Sequence, residues 1–409
     1  MRVTLLNSHD SGGAGTATKR IHRGLRRIGV DSKMLVDNKD SDDPHVVGPG
    51  SALRTGYSMA RPLVDRLPLR LYGGSKGVFS PNWLPEDINR RIDHLDPDVV
   101  HLNWVGGGFL SPESVANIDR PIVWRFPDMW PLTGGCHYAR DCERYAESCG
   151  RCPELGSSLP WDLSRLTMSR KQRAFPEADI TVAAPSTWLA ECARESTLFG
   201  DRRIEVIPNG LDTETFRPWD RGIARDLFGL DRSETVILFG SVGPTSDPRK
   251  GFDLLTTALD EIQTTNNDVR LVIFGASEPA DGDSLSHPTT YTGYLNDEES
   301  LALLYAAADV MVVPSRYEGF GQTVSEAMAC GTPVVAFDAT GPSDTVDHRE
   351  TGYLAEPYDP SDLAKGIDWV LADEERLESL GRNSRQKAEQ EFALEVAAER
   401  YLELYNTVL

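Results

Sequence analysis

The stretch "SRYEGFGQTVSEAMACGTPVVAF" (315–337) sets two carboxylates, Glu318 and Glu326, eight positions apart around a glycine-containing loop. Ionised carboxylates accept hydrogen bonds, so each can hold the hydroxyls of a polar ligand. Thr323-Val-Ser-Glu326 also has the capping-box spacing, with Thr323 as N-cap and Glu326 at the third helical position. Gly331 and Pro333 then end the helix. Glu326 therefore has two open readings, helix closure or ligand binding. Glu318 has no such local partner. It precedes Gly319-Phe320-Gly321, just past an apolar strand. Glycines let backbone N–H groups approach a ligand closely, and the opening turn of the next helix attracts anions. A carboxylate beside an anion site suits a ligand with both hydroxyls and phosphate. The alternative is a solvated loop glutamate.

Arg249 and Lys250, in "DPRKGFDLLTTAL" (247–259), stand where a helix begins. The helix dipole repels cations there, so the pair makes sense if a phosphate bridges them to the helix end. The alternative is two exposed basic residues. Cys136, Cys142, Cys149 and Cys152 fall within "CHYARDCERYAESCGRC" with spacing C-x5-C-x6-C-x2-C. Clustered cysteines in a reducing compartment more often bind metal than form disulfides, and structural zinc is the expectation. Free thiols or a pair of disulfides are the alternatives. Cys192 and Cys330 read as small core residues.

A chain of 409 residues exceeds one ordinary core and implies two domains of roughly 200 residues. Apolar strand-like runs alternate with helical patterns throughout, the signature of an α/β protein with parallel sheets. The strands read "VTLLN" (3–7), "KMLV" (33–36), "DVVHLN" (98–103), "IVWRF" (122–126), "ITVAAP" (180–185) and "IEVIP" (204–208) in the first half. The second half reads "TVILFG" (235–240), "RLVIFG" (270–275), "VMVVP" (310–314) and "PVVAF" (333–337), with helices over 297–307, 323–329 and 361–371. "IPNGLDTETFRPWD" (207–220) breaks the rhythm with turn residues and Pro218. The expected organisation is a first Rossmann-like domain over 1–207, a linker over 208–220 and a second over 221–390. A last helix within 391–409 would pack back on the first domain. Two doubly wound sheets in series would face each other across a cleft at their strand C-termini.

The net charge of −21 argues against nucleic acid as a partner. Eight lysines among 42 basic residues leave 34 arginines, and this acidic, lysine-poor balance suits a salt-rich cytosol. No apolar run spans a bilayer, and the opening "MRVTLLNSHDSGGAG" reads as strand and glycine loop, so a cytoplasmic location is expected. "LRTGYSMARPLVDRLPLRLYGG" (53–74) mixes arginines with apolar residues. It suits peripheral contact with a membrane. The plainer expectation is a cover over the first domain, because Pro62 and Pro68 interrupt any long helix.

"EGFGQTVSE" resembles the E-x7-E motif of retaining glycosyltransferases of family 4, which have the GT-B fold. "RKGFDLL", "ALLYAAADVMVVPSRYEGFG", "EAMACGTPVVA", "APSTWLAE" and "IPNGLDTETFRP" are similar to the same family, as is "HDSGGAGTATKRIHRGL" to its N-terminal glycine loop. The matches run in family order from about His9 to Tyr353. The resemblance implies a UDP- or GDP-sugar donor and a glycan or lipid-linked glycan acceptor. By position, Glu326 would hold the nucleotide ribose. Glu318 with the backbone of Gly319, Phe320, Gly321, Gln322 and Thr323 would hold the donor sugar, and Arg249 and Lys250 the diphosphate. Gly293, Tyr294 and Leu295 would take the base, and Gly13 and Gly15 would let the first helix approach the donor. The resemblance implies retention of anomeric configuration without catalytic metal or other cofactor. Related transferases carry the same cysteine cluster.

The chain departs from its relatives at one place. In "VWRFPDMWPLTGGCHY" Pro127 stands where they usually carry a histidine, which puts the usual acceptor-side contact in doubt. Arg125, Asp128 and His101 are candidates to replace it, and a degenerate partner subunit is the non-enzyme alternative. An NAD(P)-dependent oxidoreductase is the enzyme alternative, from Gly13-x-Gly15 after a strand and Asp37 near a ribose-binding position, although Thr18 replaces the third glycine. The acidic composition makes a direct prediction. The melting temperature should rise as KCl is added, through screening of like charges; the same melting temperature at low and high salt refutes it.

Overall fold

The structure is a computed structural model that describes residues 1–75, 77–263, 269–279 and 285–409. The chain divides into two compact units, Met1–Gly210 with Ala397–Leu409, and Leu211–Val396. The changeover falls inside the turn-rich stretch 208–220. Leu211 and Phe216 are already buried in the second unit's core.

The first unit carries a seven-stranded sheet of β1 (Arg2–His9), β2 (Asp31–Asn38), β3 (Val46–Val47), β4 (Val99–Leu102), β5 (Ile122–Arg125), β6 (Ile180–Ala184) and β7 (Ile204–Val206). Its order is β3-β2-β1-β4-β5-β6-β7, and every pairing is parallel. The second carries β8 (Thr235–Gly240), β9 (Val269–Phe274), β10 (Thr289–Gly293), β11 (Val310–Val313), β12 (Val334–Phe337) and β13 (Gly352–Ala355). Their order is β10-β9-β8-β11-β12-β13, again all parallel. Both are doubly wound sheets of the dinucleotide-binding type, as the alternating pattern implies. Each reverses direction once, between β1 and β4 and between β8 and β11, and ligands of such sheets bind outside the strand C-termini at these points.

Central strands read as unbroken apolar runs because helices cover both faces. All residues of β4, β5, β6, β8, β11 and β12 are buried. Alternate residues feed different cores. Leu6, Leu102, Trp124 and Val182 enter one core of the first unit, and Val3, Leu5, Val99 and Val123 enter the other. The last helix, Leu394–Val408, gives Ala398, Tyr401, Leu404 and Tyr405 to that second core. In the second unit Val236, Leu238 and Met311 face one way, and Ile237, Phe239 and Val312 the other.

Sequence periodicity does not reveal β3, β10 or β13, which lie at sheet edges and are short or only half-buried. Nor does it place Pro62. That residue lies inside the helix Ala52–Asp65 rather than breaking it, and a 3-10 turn, Leu67–Tyr72, takes Pro68 near its start. One glycine fixes the switch point of the second sheet. Gly251 has φ +70°, and a Cβ there would lie 1.9 Å from the Pro314 carbonyl oxygen. The segment after β8 therefore touches the end of β11 backbone to backbone. Gly251→Ala should lower stability by about 2 kcal/mol or more through strain and clash, read as a lower denaturant midpoint at unchanged slope. A wild-type midpoint would show that the loops can part without cost.

Candidate functional site

The ends of β8, β11 and β12, neighbours in the second sheet, bring the carboxylate and cation candidates together. After β8 the chain makes a short 3-10 turn, Pro248–Lys250, capped by Asp247, whose side chain accepts from the Arg249 N–H. The basic pair thus precedes the helix Phe252–Glu261 rather than forming its first turn. Lys250 Nζ donates to Glu318 Oε2 at 2.6 Å. Both side chains are about one-fifth exposed, so the pair is open to a ligand. Arg249 packs its guanidinium on Asp247, with Nε–Oδ1 at 3.1 Å. Burial pushes the Asp247 carboxyl up, but the Arg249 hydrogen bonds outweigh it and hold it below its ordinary range.

Arg316, which sequence reasoning missed, staples these segments. Its backbone N–H donates to the Arg249 carbonyl at 2.7 Å, and its guanidinium reaches the Pro248 carbonyl at 2.9 Å. The same side chain grips Asp253 at 2.8 and 2.7 Å and holds that carboxyl low. The glutamate loop rests on the turn after β12. Glu318 N–H donates to Thr340 Oγ1, and Gly341 N–H donates to the Glu318 carbonyl at 2.9 Å. Phe320 turns its ring into the core against Phe392, so its side chain leaves the loop surface.

The capping-box reading of Glu326 is corrected. The helix spans Gln322–Ala329, with Gly321 at the N-cap in the left-handed region, φ +90°, and no side-chain cap. A glycine at that conformation caps the helix two residues earlier than Thr323 would. Thr323 is inside the first turn. Glu326 is 5 % exposed and accepts a hydrogen bond from Tyr305 Oη at 2.9 Å. No acid lies in the first turn, so nothing acidic there offsets the positive end of the helix dipole. Gly293 ends β10 with φ +70°, Tyr294 is exposed, and Leu295 packs on the core.

In the first unit, Gly13 and Gly15 open the helix Gly12–Arg27. Gly15 has a packing reason of its own, since a Cβ there would lie 2.8 Å from the Asp10 carbonyl carbon. The oxidoreductase alternative loses its acid. Asp37 is buried and accepts from Ser58 Oγ at 2.7 Å, with Arg61 and Arg91 at 3.8 Å.

The three acceptor-side candidates are buried and engaged within the protein. His101 is a core residue, fully buried between Tyr401 and Tyr405, with Nδ1 2.5 Å from Tyr405 Oη. Arg125 grips Asn209 Oδ1 at 2.9 and 2.7 Å. Asp128 accepts from Trp104 Nε1 and the Trp130 N–H and lies 2.6 Å from His137 Nδ1.

The structure does not support the zinc expectation. All six cysteines are free thiols. Among the described residues no group of three or more His, Cys, Asp or Glu side chains is placed to hold a metal ion. The physical setting favours neutral thiols: burial raises Cys136, Cys149 and Cys152, with Cys149 pushed up to about 12. The Cys149 sulfur instead accepts the Gly134 N–H at 3.2 Å. Lys171 is buried beneath Trp130 and donates to the Trp130 and Thr133 carbonyls. Burial pulls its amine down to about 7.

Comparison with known proteins gives this geometry a setting. Residues 11–215 match the profile "Glycosyltransferase Family 4" and residues 226–387 match "Glycosyl transferases group 1". A D-inositol 3-phosphate glycosyltransferase of Rhodococcus erythropolis is 32% identical, over 99% of this chain and 91% of its own. That of Gordonia bronchialis is 25% identical, over 100% and 89%. Among solved structures, sucrose-phosphate synthase from Thermosynechococcus elongatus aligns with TM-score 0.71 at 23% identity, covering 100% of this chain and 98% of that one. Anabaena HepE, in complex with UDP and glucose, aligns with TM-score 0.64 at 19% identity over 100% of both chains. With two parallel sheets, these likenesses make the fold GT-B.

The burial of His101 makes a pH prediction. Its ring is pulled from 6.5 down to about 3 by burial, so the fold favours the neutral form. That contribution is fully present above about pH 6.5 and is lost as pH falls toward 3. Relative to wild type, His101→Leu should flatten the acid side of the stability profile by up to about 1.4 kcal/mol per pH unit and leave a constant difference above pH 7. Parallel profiles from pH 7 to 4 would show that the ring is not held neutral.

Proposed function

Because the chain belongs to glycosyltransferase family 4, we propose that it transfers a sugar, with retained configuration, from a nucleoside-diphosphate sugar to a glycan or lipid-linked glycan. The observation that carries this reading is the Lys250–Glu318 pair, 2.6 Å apart at the switch point of the second sheet, beside Arg249 and an uncapped helix start. Without ligand the cation and the carboxylate neutralise each other and hold each other in place. A diphosphate would draw Lys250 and Arg249, release Glu318 to the sugar hydroxyls and leave Glu326 for the ribose. The backbone at Gly293, Tyr294 and Leu295 is the proposed seat of the base. UDP is the favoured nucleotide, because HepE takes UDP and glucose on the same fold.

In the proposed reaction the bond from the sugar C1 to the leaving phosphate oxygen breaks and the acceptor oxygen bonds to C1 on the same face. The acceptor proton goes to the departing phosphate. Charge grows on that phosphate, and each well-placed donor from Arg249, Lys250 or the helix start would lower the barrier by roughly 2.7–4 kcal/mol. These groups supply the stabilisation without a metal.

A second reading, a transferase-like subunit without turnover, is favoured only by Pro127 at the usual histidine position. Two measurements decide. Glu326→Gln keeps an acceptor for Tyr305 and should weaken UDP binding by about 10–100-fold, with little change in melting temperature. Unchanged affinity would remove Glu326 from the site. Turnover of a panel of nucleotide sugars, with the product anomer read by NMR, should show retention. Intact UDP binding with no turnover would establish the second reading.

A further inference from the structure

The helix Ala52–Asp65 is folded inside out. Its buried residues are Ser58, Arg61 and Asp65, which share one face at helical spacing. Polar partners engage that face, with Asp65 Oδ2 alone left without a hydrogen bond among these three side chains. Ser58 Oγ donates to Asp37, Arg61 Nε to the Gly108 carbonyl at 3.0 Å, and Asp65 accepts the Trp83 N–H at 3.2 Å. The opposite face is apolar and open. Leu53 is 90% exposed, Leu63 73% and Met59 67%, and Leu71 in the following 3-10 turn is 86% exposed. A soluble surface helix shows the reverse arrangement. The face cannot have been left outward for want of an interior, because the interior side was given to an arginine and an aspartate.

The charges beside this face select its occupant. Arg54, Arg66 and Arg70 are exposed, and the only acid between 53 and 74, Asp65, is buried. Among the described residues neither Arg66 nor Arg70 has an ion-pair partner. This is a local basic, apolar strip on a chain of net charge −21. Tyr57 and Trp83, both exposed, add amphipathic rings: Tyr57 bonds the Pro85 carbonyl and Trp83 the Asp65 carbonyl. Aromatic rings with a polar handle concentrate at the headgroup level of bilayers. Apolar insertion flanked by arginine is the chemistry of an anionic lipid surface.

We propose that the face of Leu53, Met59, Leu63 and Leu71, with Arg66 and Arg70, seats the protein on a membrane bearing anionic phospholipid. This does not rest on the transferase reading, and its test does not use activity. Sedimentation with vesicles of phosphatidylcholine alone and of phosphatidylcholine with phosphatidylglycerol should show binding only to the second. Arg66→Gln/Arg70→Gln should weaken that binding about 30-fold. Met59→Gln/Leu63→Gln should weaken it about tenfold or more. Neither exposed pair should shift the melting temperature, which separates loss of docking from loss of fold. Absence of binding, equal binding to both vesicles, or variants that bind as wild type overturns the proposal. Self-association abolished by Met59→Gln/Leu63→Gln, without vesicle binding, assigns the face to a second copy and also overturns it.

Discussion

Lys250 and Glu318 are 68 residues apart in the chain and 2.6 Å apart in space. That contact depends on the parallel sheet. A right-handed βαβ series with order β10-β9-β8-β11 returns the chain across the sheet, so the strand that delivers the cations becomes the neighbour of the strand that delivers the carboxylate. Gly251 then allows the close approach, since any Cβ would strike the Pro314 carbonyl. Arg316 ties the two loops with bonds to backbone and to Asp253. The site is a property of strand adjacency first and of side chains second.

The two glutamates of the same motif have different surroundings. Glu318 is partly open and balanced by a cation. Glu326 is nearly closed from water, one helical turn farther on, and takes the Tyr305 hydroxyl. A buried carboxylate needs partners to offset lost hydration, and the Tyr305 hydroxyl is one. The start of their helix is shaped by Gly321, whose positive φ leaves the first turn without a capping side chain.

Burial of polar groups also explains the first unit. Asp37, Arg61, Asp65, Arg125 and Asp128 are all buried, each tied to named partners, and the interior polarity around the helix Ala52–Asp65 leaves its apolar residues facing out. Hydrophobic content is therefore a poor guide to orientation in this segment. What sets the orientation is where arginine and aspartate can be satisfied, because an unpaired charge inside costs more than an exposed leucine.

The sequence by itself determined the α/β class, the family and most strands. Long apolar runs bounded by turn residues report burial on both faces, and motif residues such as Glu318-Gly-Phe-Gly carry their identity without a partner. The last helix, expected within 391–409, spans Leu394–Val408. The tertiary structure alone decided the rest. It paired Lys250 with Glu318, moved the helix start from Thr323 to Gln322, closed His101 inside the core under Tyr401 and Tyr405, and left the four clustered cysteines as free thiols. Local sequence reports which conformations a segment tolerates. Which side chains meet is set by strand order and by packing between residues as far apart as His101 and Tyr405, and no short-range pattern records that.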